Sequence, residues 1–256
     1  MNDNISKLLG NVWIKKIALS LANLFTLTSF VLATLGIIFS ILYYDEFLKW
    51  FPKVIALCSI LDFADGKLAR IGGGNKKLLI DVDTIVDAIA FGLFPAIFIT
   101  TTVMNLNLFA GFLTGLAYLV AVWFRLYRFY KRDPLSKLFF DGLPAPFAAM
   151  VIACLFIFVG TPPWAYIITV IAMAIFMIST TPFPSFKGNW SLFDLFWVIT
   201  TTILVFAILV LPFDFLVYPA YILSLWMLFY LAFGPQYAEQ LDQKYIPERN
   251  SEKVEN

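Results

Sequence analysis

The chain contains no histidine. Without an imidazole, His-based general base catalysis, Ser-His-Asp triads and His-ligated metals are excluded. Cysteine is nearly as scarce. Cys58 and Cys154 both lie inside apolar runs, too few for a disulfide framework or a cysteine zinc site, and read as membrane packing residues. Charged residues make up only 14% of the chain, against the roughly 25% of an ordinary soluble domain. The 18 Lys and Arg nearly balance the 17 Asp and Glu, so no broad positive field favours nucleic acid as a partner. The pattern shows no cleavable secretory signal, internal repeat or soluble second domain. Chemistry must run on carboxylates, lysines, hydroxyls or bound ions.

What fills the space is apolar: 61% of residues are hydrophobic, the composition of a membrane protein. Apolar runs of about 20 residues, the length that crosses the hydrocarbon, fall near 18–44, 47–69, 83–104, 107–130, 142–160, 163–181, 191–212 and 215–234. The expected fold is all-α, a polytopic transmembrane helix bundle of about eight spans. Thr161 and Pro162 mark a tight hairpin between the fifth and sixth. Residues 1–16 read as an amphipathic segment along the membrane interface, 17–235 as the transmembrane catalytic domain and 236–256 as a polar cytoplasmic tail. With the N-terminus cytoplasmic, all Lys and Arg except Lys49 and Lys53 fall on cytoplasmic segments, which places both termini inside.

Acidic residues concentrate where the second and third spans meet the cytoplasmic side: Asp62, Asp65, Asp81, Asp83 and Asp87. An Asp at the bilayer centre costs roughly 2.5–3.5 kcal/mol, so such a cluster needs cations or water beside it. At about 100° per residue, Asp62, Asp65, Gly66 and Ala69 share one helix face, Asp83 and Asp87 lie about 40° apart, and Asp81 points away from them. Two carboxylate pairs on facing helices suit hard divalent ions such as Mg²⁺ or Mn²⁺, which prefer oxygen ligands. Gly66 and Ala69 leave space for a bulky group, and Arg70 is placed to meet a phosphate. A diphosphate substrate fits this constellation.

The run Asp62-x2-Asp65-Gly66-x2-Ala69-Arg70, then Leu79, Asp83 and Asp87 at fixed spacing, resembles the signature of the CDP-alcohol phosphatidyltransferase family. Leu79 stands where that family carries Gly. The resemblance implies a six-helix core, a cytoplasm-facing site for two Mg²⁺ or Mn²⁺ ions, and attack of an alcohol on the β-phosphorus of a CDP-lipid with CMP leaving. It implies Asp62, Asp65 and Asp83 as metal ligands and Asp87 as metal-associated general base. Asp62, Gly66, Ala69 and Arg70 would border the nucleotide. The segments Ala22–Leu27, Ala90–Gly92 with Pro95-Ala96, Gly142–Ala149 and Pro184–Lys187 look like the serine-using branch. That likeness implies L-serine as acceptor and a phosphatidyl or archaetidyl group as the moiety moved; Lys187, in the last of these segments, and Arg128, in a basic stretch, are candidate acceptor-binding residues.

Other readings compete. The aspartates could form an ion-pair network with Lys67, Arg70, Lys76 and Lys77, but that explains neither their facing geometry nor the small residues beside them. Gly72-Gly73-Gly74 lacks the following Gly-Lys-Ser/Thr of a P-loop. Arg125, Arg128, Lys131 and Arg132 serve either topology and headgroups or substrate binding. Asp194 reads as a helix-capping residue. Gly111-x3-Gly115 permits close packing within the chain or a homodimer contact. Glycerol phosphate or inositol phosphate is the alternative acceptor, and an ion-coupled transporter the alternative class.

Overall fold

The computed structural model describes the backbone of residues 2–73, 76–131, 139–158, 160–184 and 192–252, and side chains within 12–73, 82–131, 140–158, 160–184 and 194–240. Helix α1 runs unbroken from Asn2–Leu42, joining the stretch expected at the interface to the first span. It contains no proline to stop it. A single turn, α2 (Tyr44–Phe47), leads to α3 (Phe51–Gly72), which starts with Pro52 in its first turn and ends at Gly73 in the left-handed region, φ 62°.

Helices α4 (Lys76–Asp87) and α5 (Phe94–Met104) form one rod through a π-helical stretch, Ala88–Leu93. Helix α6 (Leu108–Tyr130) follows, its first turn capped by Asn107, whose side-chain oxygen accepts from Phe109 and Ala110 N–H. Helices α7 (Ala145–Ile157) and α8 (Pro163–Ile178) form the expected tight hairpin, turning at Gly160, φ 84°. Helix α9 (Leu192–Val210) and α10 (Val217–Glu252) complete the bundle, the last continuing helically through most of the expected polar tail.

Two strands of three residues, β1 (Phe139–Asp141) and β2 (Pro182–Pro184), pair antiparallel with Phe140 opposite Phe183. They join the ends of the connections that follow α6 and α8, and no periodic pattern of that length marks them in the sequence. The bundle is otherwise all-α, as expected.

Helix α3 sits centrally, packed against α1, α7 and α9, while α6 bridges α5 and α8. At its N-terminal end Phe51 stacks on Phe98 at 3.9 Å between centroids, with Phe94 edge-on to Phe51 and Phe156 edge-on to both rings. Such pairs add about 0.5–1.5 kcal/mol each. Asp62 lies eleven residues along the helix, about 16 Å from this aromatic plug at 1.5 Å per residue. Gly111 and Gly115 are used inside the chain. A Cβ at Gly115 would overlap the Thr100 hydroxyl and stand 2.7 Å from the Ala96 carbonyl, and one at Gly111 would meet Met104. Small residues thus bring the backbones of α5 and α6 together, as membrane helices commonly do.

Val12–Leu42, Val82–Met104, Leu108–Tyr130 and Val217–Gln240 are long and apolar enough to cross a membrane; Ala145–Ile157, Pro163–Ile178 and Asp194–Val210 are apolar but shorter. Helix α3 stands outside both groups, and it is the one bearing Asp62, Asp65, Lys67 and Arg70. Large apolar side chains cover the outer surface, among them Leu24, Val31 and Leu35 of α1, Phe112, Val120 and Trp123 of α6, and Leu225 and Leu228 of α10. An exposed apolar surface of this extent marks lipid contact, and the chain is an integral membrane protein.

Candidate metal and transfer site

Helices α3 and α4 carry the acidic residues toward each other. Carboxylate oxygens of Asp62, Asp83 and Asp87 lie within 4.8 Å of one another, and all three side chains are half-buried. Asp62 and Asp87 come within hydrogen-bonding reach. Asp65, buried at 4% exposure, is the electrostatic neighbour of Asp62 and Asp83, but its Oδ2 is turned to α1. There the Thr26 hydroxyl donates to it at 2.8 Å, close to the Ala22 carbonyl at 3.0 Å. The sequence spacing therefore brings Asp62, Asp83 and Asp87 together directly and sets Asp65 beside them with a hydroxyl behind it.

Like charges at this spacing cannot stand alone. Two carboxylates about 4.8 Å apart repel by roughly 3–4 kcal/mol at an effective dielectric of about 20. The nearest buried cation, Arg125 of α6, is an electrostatic neighbour of Asp87 and Asp62 but forms no ion pair with either among the described residues. An all-oxygen donor set with excess negative charge fits a hard divalent cation, so Asp62, Asp83 and Asp87, with Asp65 adjacent, are the residues that would hold one.

Space for a substrate lies along α3. Among the described residues nothing beyond its own helix backbone stands within 4 Å of where a Cβ on Gly66 would be, which leaves the face beyond the carboxylates open there. Ala69 is partly exposed and Arg70 exposed in the last turn of the helix. The side chains of Asp81 and Leu79, and the whole of Lys187, lie outside the described residues. Arg128 is placed in the fold rather than in open space. Its guanidinium donates to the carbonyls of Ile178 at 2.8 Å, Ser179 at 2.8 Å and Met177 at 3.1 Å, and to that of Asp141, tying α6 to the end of α8 and to β1. Asp194, in the first turn of α9, accepts from Tyr237 Oη at 2.9 Å and so links α9 to α10.

Sequence reasoning passes over two residues that shape the site. One is Thr26, quoted only as part of a family-like stretch. The other is Tyr118, fully buried on α6, whose hydroxyl donates to the Phe91 carbonyl at 2.9 Å. Pro95 has no N–H to give that carbonyl, four residues back, and the rod widens into a π-turn directly after Asp87. The signal available was Pro95 itself: a proline inside an apolar run leaves a carbonyl needing a donor.

Residues 19–181 match the sequence model of the CDP-alcohol phosphatidyltransferase family. Among curated proteins, the chain is 29% identical over 224 residues to a CDP-diacylglycerol–serine O-phosphatidyltransferase of Helicobacter pylori, covering 83% of this chain and 88% of that protein. A protein of the same name from Bacillus subtilis is 32% identical over 131 residues, 50% of this chain and 71% of the relative. One from Mycobacterium leprae is 34% identical over 103 residues, 38% of this chain and only 34% of that relative's length.

Proposed function

The chain belongs to the CDP-alcohol phosphatidyltransferase family, and on that premise we propose that it transfers a phosphatidyl or archaetidyl group from a CDP-lipid to L-serine, releasing CMP. The observation that carries the chemistry is the convergence of Asp62, Asp83 and Asp87 beside the open face at Gly66. The acceptor is supported by the names of the relatives in Helicobacter pylori and Bacillus subtilis.

The proposed cofactor is Mg²⁺ or Mn²⁺, two ions, held by Asp62, Asp65, Asp83 and Asp87. When bound, the metal neutralises the diphosphate and the charge that develops on the leaving CMP. The chain's own residues do the rest. Gly66 and Ala69 leave room for the cytidine, with Asp62 at its metal end and Arg70 toward its phosphate. Asp87 takes the proton from the serine hydroxyl as that oxygen bonds to the β-phosphorus. The bond from the β-phosphorus to the bridging oxygen breaks, and CMP leaves with that oxygen. General base help of this kind contributes about 10²–10⁴-fold. Lys187 is proposed as an acceptor contact. The catalytic unit spans 17–235, with the site and both termini on the cytoplasmic side, a reading supported by the distribution of Lys and Arg.

The test is CMP release from a CDP-lipid with L-serine, glycerol phosphate or inositol phosphate, each with and without chelator. Release with L-serine alone, stopped by chelator and restored by Mn²⁺, is the expected result. Release only with a phosphorylated acceptor would reassign the substrate. Solute flux across vesicles with no CMP from any acceptor would move the chain to the transporter class.

A further inference from the structure

Arg125 is 7% exposed, on the last turns of α6, and its five N–H donors find no hydrogen bond or ion pair among the described residues. Its guanidinium instead lies beside a pair of packed aromatic rings, 5.7 Å from the Phe129 centroid and 5.6 Å from that of Phe140. With Arg128, Phe129, Phe140 and Asp141 it lines a small cleft. Arg128, one turn on, has its donors on main-chain carbonyls, so of this pair Arg125 is the one whose fork is left without an acceptor. A buried guanidinium in that condition is costly unless an anion arrives to pair with it.

The direction of Arg125 narrows which anion. Its carboxylate neighbours are Asp87 first and Asp62 second; Asp65, which accepts from Thr26 of α1, is not among them. Arg125 thus approaches the site from α6 at the side of the proposed base. Arg70 belongs to a different helix, exposed in the last turn of α3. An anion paired with Arg125 on the α6 side of Asp87 is where the acceptor's own charge falls when its hydroxyl faces Asp87. A planar fork held beside aromatic rings binds a carboxylate in bidentate fashion.

We propose that Arg125 binds the carboxylate of the acceptor amino acid and so turns its hydroxyl toward Asp87, making Arg125 the residue that selects an α-amino acid over an amino alcohol that lacks the carboxylate. This rests on serine being the acceptor. Arg128 is then a positioning residue that fixes the end of α6 against β1 and α8.

The experiment compares L-serine with serinol, which keeps the hydroxyl and amine but has no carboxylate, in the full-length protein reconstituted with CDP-lipid and Mn²⁺. In Arg125→Gln, kcat/KM for L-serine should fall by about a hundredfold or more, while that for serinol changes by no more than a few-fold and the KM for CDP-lipid stays put. Arg125→Lys, which keeps the charge but not the fork, should fall between. Binding of radiolabelled L-serine in the presence of CMP, where no transfer occurs, should weaken in parallel. Equal losses for both acceptors, or a raised KM for CDP-lipid in either variant, would overturn the assignment and place Arg125 at the diphosphate or in the fold. Wild-type protein that releases no CMP with L-serine would instead sink the serine reading itself, a separate result.

Discussion

Replacing Tyr118 by Phe removes one oxygen atom from a position with no exposure, where that oxygen donates to the Phe91 carbonyl at 2.9 Å. Water has no route to take its place, because Phe91 and Phe94 are themselves fully buried and Pro95 lacks the N–H that would close an ordinary helical turn. A buried carbonyl deprived of its donor costs about 1–3 kcal/mol. The substitution also slackens the π-stretch that begins one residue after Asp87, so the base should sit less firmly relative to the other carboxylates. The expected result is a lower melting temperature in detergent and a kcat reduced by up to about tenfold, with CDP-lipid binding unchanged, since positioning errors fall on the reacting step. Tyr118→Leu should lose more stability, because ring packing goes as well. A Tyr118→Phe protein that melts and turns over like wild type would refute the claim that this hydroxyl holds the π-turn.

Asp87→Asn keeps the shape but cannot accept the proton; kcat should fall by at least about a hundredfold with little change in CDP-lipid binding, and parallel loss of both would make Asp87 chiefly a ligand. Thr26→Val removes the hydroxyl behind Asp65, and the Mn²⁺ concentration for half-maximal activity should rise by about tenfold or more, as for other residues that orient metal ligands; an unchanged value would leave Thr26 as helix packing. Gly115→Ala puts a methyl group against the Thr100 hydroxyl and the Ala96 carbonyl, and should destabilise the α5–α6 pair by about 1–3 kcal/mol, read as a drop in melting temperature in the full chain.

The helices, and the shared faces of Asp62 with Asp65 and of Asp83 with Asp87, are legible in the sequence because they follow from local periodicity: apolar runs set the helices, and a spacing of three or four residues sets a shared face. Asp65 shows where that reasoning stops. Its place on the helix follows from spacing, but its turn toward Thr26 depends on a residue 39 positions away on another helix. Arg125 and Arg128 are three residues apart on one face and indistinguishable by pattern. Their separate surroundings arise because the Arg128 fork reaches carbonyls near residues 141 and 177–179, which only the tertiary fold brings to α6. The two short strands escape for the same reason, and the π-turn is marked only by Pro95, its donor Tyr118 coming from a distant helix.

The claim on which everything else depends is that the carboxylate cluster binds the metal that supports transfer. Electron paramagnetic resonance of Mn²⁺ titrated into the purified protein, with CMP release followed in the same preparation, tests it most directly. Wild type should bind Mn²⁺ and turn over in proportion to the bound ion, while Asp62→Asn and Asp83→Asn should lose both together in a protein that stays folded. Full Mn²⁺ binding in both variants, or wild-type CMP release that persists in chelator with no bound ion, would contradict it.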